Sequence, residues 1–136
     1  MKPDWTDAMA PSIPEMEDIA ERAYEALPEE FRALTRGVVI RVVDFPEEDV
    51  LRELDAETEF DILGLFQGIG LAQDGAVPQS GQMPNMVFLY RRPILDYWAE
   101  NEETLGHIVT HVLVHEIGHH FGLSDEDMEA IEAATV

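Results

Sequence analysis

The stretch "HIVTHVLVHEIGHHFGLSDEDM", residues 107–128, carries every histidine of the chain, and its reading decides the fold. His107, His111, His115 and His119 recur every fourth residue, and His120 follows directly. Ile108, Val109, Val112, Leu113, Val114, Ile117 and Phe121 fill most other azimuths of a helical wheel, which predicts a helix buried on nearly all sides. Asn101 is the expected N-cap, with Glu102 and Glu103 in the first turn and the helix running on to Phe121. Gly122 is the expected stop, since glycine enters the left-handed conformation freely. Ser124 then caps a last helix, with Met128 and Ile131 facing inward.

On a helix at about 100° per residue, His115 and His119 lie about 40° apart and one turn above each other, so both imidazoles project to one side. That pair suits two ligand positions of a tetrahedral ion. Glu116 is rotated off the pair, poorly placed as a ligand yet close enough to take a proton from metal-bound water. The spacing is H-E-x-x-H, with a mechanical role for each fixed residue. If Gly122 folds the chain back, Asp125 becomes the natural third ligand, and water in the fourth position leaves the open site of a catalytic zinc. A shuffled chain of this composition would show H-E-x-x-H roughly one time in fifty. Requiring the glycine and a His or Asp after it lowers this to on the order of one in several thousand, so the extended pattern carries the reading.

The other histidines are weighed separately. One ion cannot reach along several turns, so His111 is read as a residue that orients a ligand or packs beside it, not as a ligand. His107 is expected to be exposed near the helix start. His120 lies on the far side of Glu116 and could pair with that carboxylate or fill the core, with packing preferred.

Working outward, residues 1–11 are aperiodic and read as a flexible tail, and residues 12–136 as one domain. Ser12-Ile13-Pro14-Glu15 has the form of a capping box, followed by Met16, Ile19, Ala20, Ala23, Tyr24 and Leu27 at amphipathic-helix spacing. A short helical piece follows, with Phe31 and Leu34 inward. Residues 38–45, "VVIRVVDF", read as a strand. A helical pattern after Pro46 places Val50, Leu51 and Leu54 on one side. "ILGLFQG", residues 62–68, and "MVFLY", residues 86–90, are further strands, separated by a long loop over 69–85. Pro93 to Trp98 form a turn of helix. These elements predict an α+β fold, a small sheet of about three strands packed on the histidine helix with flanking helices.

Composition bounds the function. There is no cysteine, so a metal here must be held by imidazole and carboxylate. Twenty-nine acidic residues against eight basic ones leave a net charge of −21, which argues against nucleic acid and anionic membrane as partners. The same field would steer cationic peptides toward a site. No apolar run approaches bilayer length and the first residues lack an apolar signal core, so a cytoplasmic location is expected.

At this point "HEIGHHFGLSD" resembles the extended zinc motif H-E-x-x-H-x-x-G-x-x-D of zincin metallopeptidases. More closely, "ILGLFQG", "FLYRRPIL" and "VHEIGHHFGLSDEDM" together resemble the small bacterial zincin-like metallopeptidase family, the minimal zincins. The resemblance implies a zincin-like α+β domain, zinc on His115, His119 and Asp125, and Glu116 as catalytic acid/base. Met128 comes too soon after Asp125 to be the methionine turn of the larger metzincins.

The expected function is therefore zinc-dependent hydrolysis of peptide bonds, in the manner of a metalloendopeptidase. The alternative is a non-catalytic metal-binding or protein-interaction domain that keeps the zinc site for structure or regulation. An extended peptide substrate would lie along a sheet edge, for which residues 86–90 are one candidate, and the 69–85 loop could cover the cleft. Tyr90 or Tyr97 could stabilise an oxyanion, against the blander reading of core or interface tyrosines. Arg91 and Arg92 could bind a substrate carboxylate or pair with acidic neighbours.

Overall fold

A computed structural model of the chain describes residues 4–68 and 85–135. The expected loop over 69–85 falls, except for Asn85, outside those residues. Nine elements follow in order: α1 (Ile13–Glu25), α2 (Glu29–Leu34), β1 (Val39–Val43), α3 (Glu48–Glu53), β2 (Gly64–Gln67), β3 (Met86–Tyr90), α4 (Arg91–Glu100), α5 (Leu105–His120) and α6 (Asp125–Ala134). Among the described residues no helix is long and apolar enough to cross a membrane.

The histidine helix α5 spans 16 residues, about 24 Å at the α-helical rise. Its N-cap is Thr104, whose Oγ1 accepts from the His107 N–H at 3.1 Å. This corrects the expected cap at Asn101. Asn101 instead closes α4, its Nδ2 donating to the Tyr97 carbonyl at 2.7 Å, and Glu102 and Glu103 fall between the two helices. Both residues can cap, and Thr104 stands directly before the first apolar residue of the pattern, Leu105.

The sheet order is β1-β3-β2, with β1 parallel and β2 antiparallel to β3. β3 is therefore the central strand, which corrects its candidacy as the substrate edge. Its sequence agrees with the centre: Met86, Val87, Leu89 and Tyr90 are all buried, so both faces of the strand are covered. β2 is an edge, and Gly64 inside it marks a close approach. A Cβ there would stand 2.6 Å from Val112 Cγ1 of α5 and 3.0 Å from the Phe88 carbonyl oxygen.

α1, α4 and α6 pack on α5. The capping box at Ser12 is formed: Ser12 N–H donates to Glu15 Oε1 at 2.9 Å, and Glu15 N–H to Ser12 Oγ at 3.3 Å. Met16 and Ala20 of α1, Ile94 of α4 and Met128 of α6 have no accessible surface and join Leu113 and Ile117 of α5 in one core. Each large side chain so buried stabilises the fold by about 1.5–3 kcal/mol. Buried Thr35 is satisfied locally, its Oγ1 donating to the Phe31 carbonyl at 2.8 Å and lying 2.6 Å from the Tyr24 hydroxyl.

The short helices depart from expectation. Phe31 of α2 is buried, but Leu34 is 43% exposed. Of Val50, Leu51 and Leu54 none is fully buried, and Leu54 is 50% exposed. Helices of six residues present less than two turns to the core, so an apolar pattern on them is only partly covered. In contrast, α4 is longer than the single turn expected. It begins directly after β3, and Pro93 sits in its first turn, where no intrahelical donor is lost.

Candidate metal centre

The end of α5 is built to reverse the chain. Gly122 has φ +80°, its N–H donates to the His119 carbonyl at 3.1 Å, and the Leu123 N–H donates to the Gly118 carbonyl at 2.9 Å. That pair of bonds is a Schellman motif, which satisfies two terminal carbonyls and turns the backbone. Ser124 then caps α6, with Asp127 N–H to Ser124 Oγ and Ser124 N–H to Asp127 Oδ2 both at 3.1 Å. The two helices approach closely because Gly118 lacks a side chain: a Cβ would meet Met128 Sδ at 2.6 Å.

Along the histidine stripe, the rings of His111 and His115 have centroids 4.0 Å apart, and those of His115 and His119 lie 5.8 Å apart. Glu132 of α6 reaches both of the first two. Its Oε1 is 2.9 Å from His111 Nδ1 and its Oε2 is 3.5 Å from His115 Nε2. Among the described residues, His111, His115 and Glu132 are the group whose ligating atoms lie within 4.8 Å of one another and which could hold a metal ion. His119 and Asp125 are not brought into that group. Asp125, the first residue of α6, is exposed, and its negative charge is nonetheless felt at the His115 ring. Burial, and then the neighbouring His111, hold His115 below the ordinary imidazole pKa, with Glu132 and Asp125 acting in opposition.

Glu116 lies on the adjoining face of α5, about 60° around the helix from His119 at ~100° per residue. A Cβ on Gly64 would stand 3.4 Å from Glu116 Cγ, so the carboxylate stem lies against the backbone of β2. Burial raises its pKa above the ordinary carboxyl value, and the charge of His119 opposes the rise. His120 also faces β2, stacked on Phe66 with centroids 4.0 Å apart and an angle of 26°. Its Nε2 is buried with no partner among the described residues. His107 stays near the surface, 3.2 Å from Glu103.

Tyr90 is buried at the end of β3, and its hydroxyl pKa is pushed up to about 12, by burial first and then by the charges of Glu47, Glu116 and Asp49. It lines a cavity of roughly 350 Å³ between α3 and the outer face of the sheet. Tyr97 is partly exposed on α4. Arg91 pairs with Asp44 at 3.0 Å and donates from Nε to the Pro11 carbonyl at 2.6 Å, while Arg92 lies over the Phe45 ring.

Glu132 is the residue that sequence reasoning missed. It lies seven positions, two helical turns, beyond Asp125, but α6 carries carboxylates at 125, 126, 127, 129 and 132, and nothing in that run singles it out. The donor chemistry on this side of α5 is imidazole and carboxylate without thiolate, which fits zinc and related first-row ions.

Three comparisons bear on this arrangement. A conserved hypothetical protein from Thermo thermophilus has a similar fold: TM-score 0.51, 20% identity, with 80% of this chain and 92% of that chain covered. No curated protein matches the chain. The sequence profile of the zincin-like metallopeptidases matches residues 35–135, a span that takes in the sheet, the histidine helix and the reversal after it. On that match the chain belongs to the zincin-like metallopeptidase family.

Proposed function

We propose that the chain is a zinc-dependent peptidase in which His115, His119 and Asp125 hold the ion and Glu116 transfers the proton. The observation that carries this reading is the layout of α5: the imidazoles of His115 and His119 one turn apart with centroids 5.8 Å apart, and Glu116 rotated off them toward the β2 edge. Gly122 supports the third ligand, because the turn it makes starts α6 at Asp125.

Zinc bound there would supply Lewis acidity toward the scissile carbonyl and make water acidic enough to be deprotonated near neutrality. The chain's own residues do the rest. The Glu116 carboxylate accepts a proton from the attacking water and returns it to the leaving amine nitrogen. Val112 and the backbone at Gly64 pack beside it, which keeps bulk water from one flank of the carboxylate. Among the described residues β2 pairs with β3 alone, so its other edge can take an extended peptide by main-chain hydrogen bonds. The net charge of −21 favours cationic peptides as substrates.

Glu116→Gln tests the reading against a non-catalytic metal-binding domain. Retained zinc with hydrolysis lost supports the peptidase. Zinc binding and every measured function left intact would defeat it.

A further inference from the structure

The group His111, His115 and Glu132 is not the one the zinc motif points to, and it overlaps that motif at a single residue. We propose that His111, His115 and Glu132 form a second divalent-cation site that draws on the same His115 ring as the peptidase ion, so that filling one empties the other. The site itself stands on its own geometry; the competition rests on the peptidase assignment above.

The distances fit an ion. Donor atoms on a tetrahedral zinc, with bonds of about 2.0–2.2 Å, sit about 3.3 Å from one another. The two Glu132 contacts, one from each carboxylate oxygen, are of that order: Oε1 lies 2.9 Å from His111 Nδ1 and Oε2 3.5 Å from His115 Nε2. The three ligating atoms lie within 4.8 Å of each other before any side chain adjusts. Two imidazoles and one carboxylate select Zn²⁺, Co²⁺, Ni²⁺ or Cu²⁺ over Mg²⁺ and Ca²⁺, which take oxygen donors. Helical spacing leaves room for both the peptidase ligands proposed above and this group. Asp125 and Glu132 are seven residues apart on α6, about 10.5 Å by helical rise, and His119 and His111 are eight apart on α5, about 12 Å. After the reversal at Gly122 Glu132 meets the His111 end of the histidine stripe, and the peptidase reading assigns Asp125 to the His119 end, with His115 in the middle.

The bland reading is a hydrogen bond that ties α6 to α5 and binds nothing. Co²⁺ titration of the full chain, followed by visible absorption and by competition with a chelating dye, separates the two. In H119A/D125N, shown folded by circular dichroism, the proposal expects one Co²⁺ per chain. It further expects E132Q or H111A, added to that variant, to weaken binding by more than the ~10–100-fold that an outer-sphere change costs. The wild-type chain should take one ion, not two, at saturation. A folded H119A/D125N chain that binds no Co²⁺ would overturn the site and leave the peptidase ligands standing. Two ions per wild-type chain would overturn the competition. If E132Q strips the wild-type ion and D125N does not, the second site holds and the peptidase ligand assignment is what fails.

Discussion

Along one side of α5 the rings of His111 and His115 lie 4.0 Å apart and meet the Glu132 carboxylate of α6. Along the adjoining face, Glu116 lies against the backbone of β2 and His120 stacks on Phe66. The first side is lined by side chains that reach solvent, and His111 and His119 are exposed. The second is pressed on the sheet, with no room for even a methyl group at Gly64. One helix thus carries the histidine stripe on one face and Glu116 on the adjoining one, the division that the proposed peptidase would use. The separation follows from residue spacing: a step of four stays on one face, and a step of one crosses to the next.

The largest effect that would sharpen this division comes from Glu116→Gln. On the proposed mechanism it removes the proton acceptor and leaves every imidazole and Asp125 in place. Peptide hydrolysis should fall by roughly 10²–10⁴-fold, the usual contribution of a positioned acid or base, while zinc content measured by elemental analysis stays unchanged. Loss of zinc together with the activity would show that the two sides are not separable.

Next in size is Gly64→Val, which probes the sheet side alone. The new side chain would collide with Val112 and with the Phe88 carbonyl, so overpacking should cost about 1–3 kcal/mol in urea unfolding. Co²⁺ affinity should hold, because His111 and His115 meet α6 at Glu132 and not the strand. A drop in affinity comparable to that of a ligand substitution would break the comparison.

How much of this was legible beforehand depends on how local each signal is. The body of α5, its glycine stop and the Ser124 cap are written in short-range patterns and appear where the residues put them, whereas its first turn starts at Leu105 behind Thr104 and not behind Asn101. The central place of β3 is not a local property: strand order comes from pairing across distant segments, and "MVFLY" reads equally as edge or centre until its two neighbours are known. Leu34 and Leu54 carry an inward pattern on helices too short to bury it. Glu132 was hidden for another reason. Its partner is reached only after the chain turns back, and four other carboxylates on the same helix offer the same signal.

The two sides should also answer to pH in opposite directions in the metal-free chain. Folded His115 is held below its ordinary value of 6.5, so the unfolded chain takes up its proton first. Stability contributed there is present above about pH 6.5 and is lost as pH falls toward the folded value. Folded Glu116 is raised above 4.5, so its contribution is intact below that pH and is lost as pH rises through the folded value. His115→Gln should therefore flatten the acid side of the stability curve, and Glu116→Gln should raise stability at pH 7 but not at pH 4. Urea midpoints at pH 4, 5.5 and 7 decide it, and a Glu116→Gln chain no more stable at pH 7 would show that the carboxylate is better solvated than its position implies.

The smallest effect belongs to His107, and its smallness is informative. His107 continues the stripe by spacing, yet its ring pairs with Glu103, on the exposed surface before α5 begins. Such a pair contributes about 0.5 kcal/mol or less, only while the imidazole is protonated, and less in salt. A protonated ring in the first turn also opposes the positive end of the helix, which offsets part of that gain. His107→Ala should accordingly leave urea stability within about 0.5 kcal/mol of the parent chain, as for most surface changes, and leave Co²⁺ affinity unchanged. The repeat of four histidines would then be a repeat in sequence that the fold divides, because the Glu132 carboxylate of α6 pairs with His111 and His115 while His107 pairs with Glu103. A His107→Ala chain that lost cation affinity would mean the stripe binds as a unit, and spacing alone, without the return of α6, would be enough to make the site.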